Sequence, residues 1–234
     1  MRAAIRAVLF DKDGTLFDFH RTWVPVYEAL ACRVAGGPGE AADRLLELAG
    51  RDAVSGRIHP ESILGAGTLA QLAELWAGAV GAPDAAALRQ MIESYARQAS
   101  TAHAAPVTDL PALFRRLRGR GLALGVATMD GEAAARAHLA AFGLSGLVDF
   151  VCGYDSGHGL KPEAGMVRAF CRATGVPAAA VAVVGDTLHD LSMARAASAG
   201  LVVGVLTGAS PREALLPHAD HVLESIAELE AILG

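Results

Sequence analysis

The sequence predicts an α/β fold, a doubly wound parallel sheet into which an all-helical domain is inserted. Three observations predict it. Short apolar runs recur at 5–10 (IRAVLF), 122–127 (LALGVA), 148–152 (VDFVC), 180–184 (AVAVV) and 201–206 (LVVGVL). Each is continuous rather than alternating, the pattern of parallel strands covered on both faces. Helical patterns at 131–142, 162–174 and 187–198 separate the later runs, and such alternation implies a doubly wound sheet. The first two runs, by contrast, lie too far apart for an ordinary crossover.

In chain order, run 5–10 forms a first strand that gives way to Asp11. Residues 18–104 then read as helices at roughly 21–35, 40–49, 62–79 and 84–104, with no good strand between them. Trp76, Leu69 and Leu72 supply the core-facing positions of this stretch. Pro106 and Pro111 bracket the return to the sheet, where 109–119 provides the missing crossover helix. Gly143, Gly175 and Gly200 sit at the ends of the three later helical patterns. A weaker last unit, 220–233, adds an edge strand (HVL) and a closing helix. The expected domains are a core of 1–17 with 105–234 and a helical cap of 18–104. An insertion that leaves just after the first strand is expected to hang over the carboxyl ends of the strands, where α/β proteins bind ligands.

Composition narrows the function. With 234 residues, 53% hydrophobic and 19% charged, the chain reads as an ordinary soluble globular protein. A net charge of −5 gives no basic footprint, so no nucleic-acid partner is expected. No run approaches the roughly 18 apolar residues of a membrane span, and residues 1–10 are too short for a signal peptide. Cys32, Cys152 and Cys171 are widely spaced and lack CxxC pairing, which suits reduced thiols in a cytoplasmic protein, monomeric or homodimeric. Of the 20 basic residues only two are lysine, Lys12 and Lys161. Where lysine survives such a bias, a compact ammonium is favoured over the broad guanidinium fork.

The stretch VLFDKDGTLFD, residues 8–18, ends a buried strand on Asp11 and Asp13, two carboxylates that repel. Later strands also end on polar groups. Run 122–127 ends at Thr128, run 148–152 leads through GYDSGHGLKPE to Lys161, and run 180–184 ends in GDTLHD, giving Asp186 and Asp190. Parallel strands end on one side, so these six residues are expected to converge. Four carboxylates and one lysine are strongly acidic as a group, and a hard divalent cation with oxygen ligands, such as Mg²⁺, restores the balance. A phosphate then fits between metal, lysine, the Thr128 hydroxyl and the backbone amides of the turn.

On these residues the chain resembles the haloacid dehalogenase superfamily, in its phosphatase branch. DKDGT at 11–15 matches that family's first motif, Thr128 the second, Lys161 the third, and Asp186 with Asp190 the acidic fourth. The order and strand-end placement all match, and the helical insertion resembles the family's alpha-helical cap. The resemblance implies roles. Asp11 attacks phosphorus and becomes an aspartyl-phosphate. Asp13 protonates the leaving oxygen, then activates water, and its backbone carbonyl reaches the metal. Asp11, Asp13, Asp186 and Asp190 form the Mg²⁺ site. Lys161 neutralises Asp11 and the phosphoryl oxygens. Thr128 and the amides of Met129 and Lys12–Gly14 hold the phosphoryl group.

Two departures from the pattern stand out. Lys12 occupies a position more often apolar; its side chain alternates away from the nucleophile, which suggests a local salt bridge. Met129 and Asp130 follow Thr128 where a second small polar residue is frequent. Plainer readings compete singly: Asp13-Gly14 as a turn, Asp186 or Thr128 as a helix cap, Asp190 as an exposed helix-start carboxylate, His189 as a solvated neighbour. Taken as an ordered set, the functional reading prevails. In the insertion, His20, Arg21 and Arg57 are the candidate substrate contacts, the last in the glycine-rich stretch 55–68.

The expected activity is a Mg²⁺-dependent phosphatase for a small metabolite of the phosphoglycolate or sugar-phosphate class. A dehalogenase has no use for Asp13 or the metal acids, and a Schiff-base phosphonate hydrolase needs a lysine that 18–104 lacks. A beta-phosphoglucomutase-like mutase shares every core motif. A non-catalytic binding regulator would be expected to lose the nucleophile or a metal acid.

Overall fold

The computed structural model describes residues 4–233. The chain divides into two compact units, one formed by the residues up to Phe19 with those from Ala105 onward, the other by His20–Ala104.

The first unit is built on a six-stranded, wholly parallel sheet in the order β3-β2-β1-β4-β5-β6. Its strands are β1 (Ala7–Phe10), β2 (Ala123–Ala127), β3 (Phe150–Cys152), β4 (Val181–Gly185), β5 (Leu201–Val205) and β6 (His221–Leu223). The apolar runs are continuous because both faces are covered. Ala7 and Leu9 join a core with Phe170 and Leu191, while Phe10, on the opposite face, stacks on Phe114 at 5.2 Å. The strand order reverses between β1 and β4, and at such a switch point the crevice beyond the strand ends is where α/β sheets bind ligands.

The second unit is helical. It holds α1 (Phe19–Ala35, which starts at the boundary), α2 (Glu40–Ala49), α3 (Ile63–Ala66), α4 (Leu69–Val80) and α5 (Ala85–His103). Its centre is Trp76, fully buried, whose indole N–H donates to the Leu45 carbonyl at 2.8 Å. The single helix expected over 62–79 is two. Thr68 closes a capping box with Gln71, which starts α4 afresh, and the backbone carbonyls of His59 and Pro60 lie against Gly65, where no side chain fits. Leu72 is buried with Trp76, while Leu69 is only half-buried.

Helices α6 (Leu110–Gly119), α7 (Glu132–Ala141), α8 (Gly165–Thr174), α9 (Leu188–Ala196) and α10 (Arg212–Leu215) complete the first unit. Two expectations shift. The 162–174 helix begins at Gly165, because residues 161–164 form a turn that packs the His158 carbonyl onto Gly165. The closing helix is a 3₁₀ segment, Ile226–Ala231. The short α10 has no counterpart in the sequence reading. No helix of the described residues is long and apolar enough to cross a membrane.

Candidate active site

The site grows from the ends of β1 and β4. The Asp11 amide still donates to the Val184 carbonyl at 2.8 Å, so the nucleophile candidate is held as the last rung of the sheet. The chain then turns back at once: the Lys12 carbonyl accepts from Leu16, and Gly14 donates to Phe17 at 2.7 Å. Gly14 sits at φ 89°, and a side chain there would run into the Asp186 carboxylate. On β4, Gly185 allows Asp190 to lie directly over the strand end. Thr187 caps α9 in a capping box with Asp190, which fixes that carboxylate.

Asp11, Asp186 and Asp190 are all buried, and one oxygen from each lies within 4.8 Å of the others. Lys161 Nζ stands 2.5 Å from Asp11 Oδ1 and 2.6 Å from Asp190 Oδ1. One ammonium among three carboxylates leaves a buried negative excess. Burial raises the Asp11 pKa to about 7, with Lys161 opposing the rise and Asp190 adding to it. Burial, followed by the Asp11 and Asp190 charges, pushes Asp186 well above the usual carboxylate range. Burial works against the Lys161 ammonium, but Asp11 and Asp190 outweigh it and hold its pKa above normal. Asp186 Oδ2 accepts from the Ala209 amide at 3.1 Å, whereas its buried Oδ1 has no hydrogen-bond partner among the described residues. Hard oxygen donors, excess negative charge and an unsatisfied buried oxygen together fit a divalent cation.

A second cluster lies beside the first. Lys12, fully buried, places Nζ 2.6 Å from Asp13 Oδ2, 3.5 Å from Asp130 Oδ2 and 3.3 Å from His138 Nδ1. The Asp13 carboxylate is thus engaged here and is not one of the three that could hold a metal, which leaves its backbone carbonyl for that role. Burial, then the Lys12 charge, lowers the His138 pKa to about 4.

Thr128 is buried and its hydroxyl accepts from the Asp130 amide at 3.0 Å, shaping the turn that carries Met129. It does not cap α7; Asp155 accepts from the Glu132 amide there. Asp190 is not the exposed helix-start group of the plainer reading, and His189 is half-buried rather than solvated. His20, Arg21 and Arg57 belong to the helical unit and are exposed.

The family profile of haloacid dehalogenase-like hydrolases matches residues 5–198. The chain belongs to that family. Among curated relatives, this hydrolase is 41% identical over 92 residues to the probable phosphatase IndB of Dickeya dadantii, an alignment covering 39% of this chain and 40% of that protein. It is 38% identical over 92 residues to phosphoglycolate phosphatase of Rhodospirillum rubrum, covering 39% of this chain and 38% of that one. The chain therefore matches about two fifths of the length of these relatives. Of solved structures, a predicted phosphoglycolate phosphatase from Haemophilus somnus superposes with TM-score 0.75 at 17% identity, covering 98% of both chains. A Thermotoga maritima protein provisionally assigned as a beta-phosphoglucomutase gives TM-score 0.72 at 19% identity, again over 98% of each. At such identities the likeness is one of fold.

The hydrolase also uses residues the sequence reading missed. After β5, the Thr207 hydroxyl donates to the Gly14 carbonyl at 2.7 Å, and the Gly208–Ala209 backbone lies against Asp186. The available signal was a threonine followed by a glycine, Thr207-Gly208, just beyond an apolar run. Chemically, the arrangement presents three metal-competent acids, two of them, Asp11 and Asp190, paired with one ammonium, and a fourth acid, Asp13, held by a second ammonium.

Proposed function

We propose that this hydrolase is a Mg²⁺-dependent phosphatase of small phosphate monoesters, of the phosphoglycolate or sugar-phosphate class, working through an aspartyl-phosphate. One observation carries the reading: Asp11 ends β1 at the sheet's switch point with Lys161 on one oxygen and two more buried carboxylates within 4.8 Å. Asp11, Asp186 and Asp190, with the Asp13 carbonyl, would hold the cation, which supplies positive charge to the phosphoryl oxygens. An Asp11 oxygen attacks phosphorus and the ester P–O bond breaks, the departing oxygen taking a proton from Asp13. Water then attacks the same phosphorus, Asp13 takes its proton, and the acyl P–O bond breaks to return the Asp11 carboxylate and free phosphate. Lys161 neutralises the phosphoryl oxygens, while Thr128 and the Met129 amide orient the group; the Gly14 amide, an expected contact, is instead taken by the Phe17 carbonyl at 2.7 Å. Recognition of the rest of the ester is assigned to His20, Arg21 and Arg57.

The test is phosphate release from a panel of phosphometabolites with Mg²⁺ and with chelator. Metal-dependent release lost in Asp11→Asn is expected. An Asp11→Asn enzyme as active as wild type overturns the covalent route. Isomerisation of a sugar phosphate without net release would mark a mutase instead.

A further inference from the structure

We propose that Lys12, braced by Asp130 and His138, is a positioning residue that aims the Asp13 carboxyl at the leaving oxygen. The inference rests on the phosphatase reading, in which Asp13 is the proton donor. Lys12 has no exposed surface, and its ammonium reaches Asp13 Oδ2 at 2.6 Å, His138 Nδ1 at 3.3 Å and Asp130 Oδ2 at 3.5 Å. An ammonium has three donors and no acceptor, so His138 Nδ1 accepts and the ring proton sits on Nε2. The imidazole is in turn stacked on Phe17, with centroids 4.5 Å apart, and meets Phe142 at a tilt of 57°, centroids 5.5 Å apart. Phe17 closes the acidic turn itself, through its carbonyl and the Gly14 amide. The bracket is therefore anchored at both ends in the segment that carries Asp13. Its effect is to engage one oxygen of the Asp13 carboxyl and so oppose rotation about its side-chain bonds.

A purely structural pairing explains these contacts less well. A buried ion pair contributes little or nothing to stability beyond what well-packed apolar side chains of similar volume would. An apolar residue at 12 and a neutral one at 130 would fill the same space without burying a charge. The chain keeps only two lysines, and each ends on an aspartate of the DKDGT turn, Lys161 on Asp11 and Lys12 on Asp13. The two departures from the motif pattern, at 12 and at 130, are also a single feature, because they pair with each other.

The experiment compares kcat/KM for p-nitrophenyl phosphate, whose leaving group departs without a proton, and benzyl phosphate, whose alkoxide needs one. The full-length Mg²⁺-loaded enzyme, Lys12→Met, Asp130→Asn, Asp13→Asn and Asp11→Asn are measured side by side, with thermal unfolding of each. A misaimed donor costs on the order of 10²-fold on benzyl phosphate and much less on p-nitrophenyl phosphate in Lys12→Met. Asp130→Asn follows in the same direction with a smaller loss, and it carries the test if Lys12→Met does not fold. Equal losses on both esters in these variants, with Asp13→Asn still selective, overturn the inference. Equal losses in Asp13→Asn remove Asp13 as the proton donor and the inference with it, whereas no metal-dependent hydrolysis of either ester by wild type overturns the phosphatase reading beneath it.

Discussion

Asp186 shows how the smallest residues position the largest charges. Glycines at 14 and 208 stand where any side chain would overlap its carboxylate, so the acid can lie buried against two loops at once. Gly208→Ala should therefore displace Asp186, costing about 1–3 kcal/mol in stability through overpacking and raising the Mg²⁺ concentration needed for half-maximal activity. Urea unfolding and a metal titration check both effects; unchanged values would show that the loop yields without moving the acid. Asp11 and Asp186 were legible in the sequence because charged groups at the ends of apolar strands are conspicuous, and Lys161 because it is one of only two lysines in the chain. Gly208 was not, since a close approach leaves no charge or periodicity to detect. Lys12 was half legible. Alternation turned it away from Asp11, but nothing local said that it would be buried against Asp130 and His138, which arrive from residues more than a hundred positions later.

At the scale of elements, apolar periodicity placed every strand to within about two residues, because parallel strands buried on both faces leave an unbroken signal. Helix interruptions were harder. The 62–79 stretch keeps its apolar pattern across Gly67, and only the Thr68 hydroxyl and Gln71 side chain, acting as a cap, divide it into α3 and α4. The opening of α8 was displaced for a similar reason: the backbone packing of His158 on Gly165 is a tertiary contact that local propensity does not carry. Within the helical unit, Trp76 fills the centre and also satisfies the Leu45 carbonyl. Trp76→Ala should cost about 3–5 kcal/mol, from the lost burial and the cavity left behind. The urea midpoint reports this; a loss below about 1 kcal/mol would mean that the unit collapses to fill the space.

For the whole molecule, the account turns on charge. Three buried carboxylates share one lysine, and burial raises Asp11 from 3.8 to about 7. Above the lower value the unfolded chain has released that proton while the folded protein keeps it. The folded state then binds more protons, so the metal-free site costs stability as pH climbs through this window. Asp52 and Glu132 act with the opposite sign, since hydrogen bonds from Ser55 and Ser156, respectively, lower their pKa values. Comparison with Asp186→Asn isolates the site from such groups. A bound divalent cation reverses the penalty by stabilising the ionised acids, and only the folded state offers the site. The most direct test is thermal unfolding of wild type and Asp186→Asn at about pH 5 and about pH 8, each with Mg²⁺ and with chelator. In chelator, wild type should lose stability relative to the variant on going to the higher pH. With Mg²⁺, its melting temperature should rise by several degrees there, little at the lower pH, and hardly at all in the variant. A Mg²⁺ shift that is the same at both pH values, or the same in Asp186→Asn, would contradict the account.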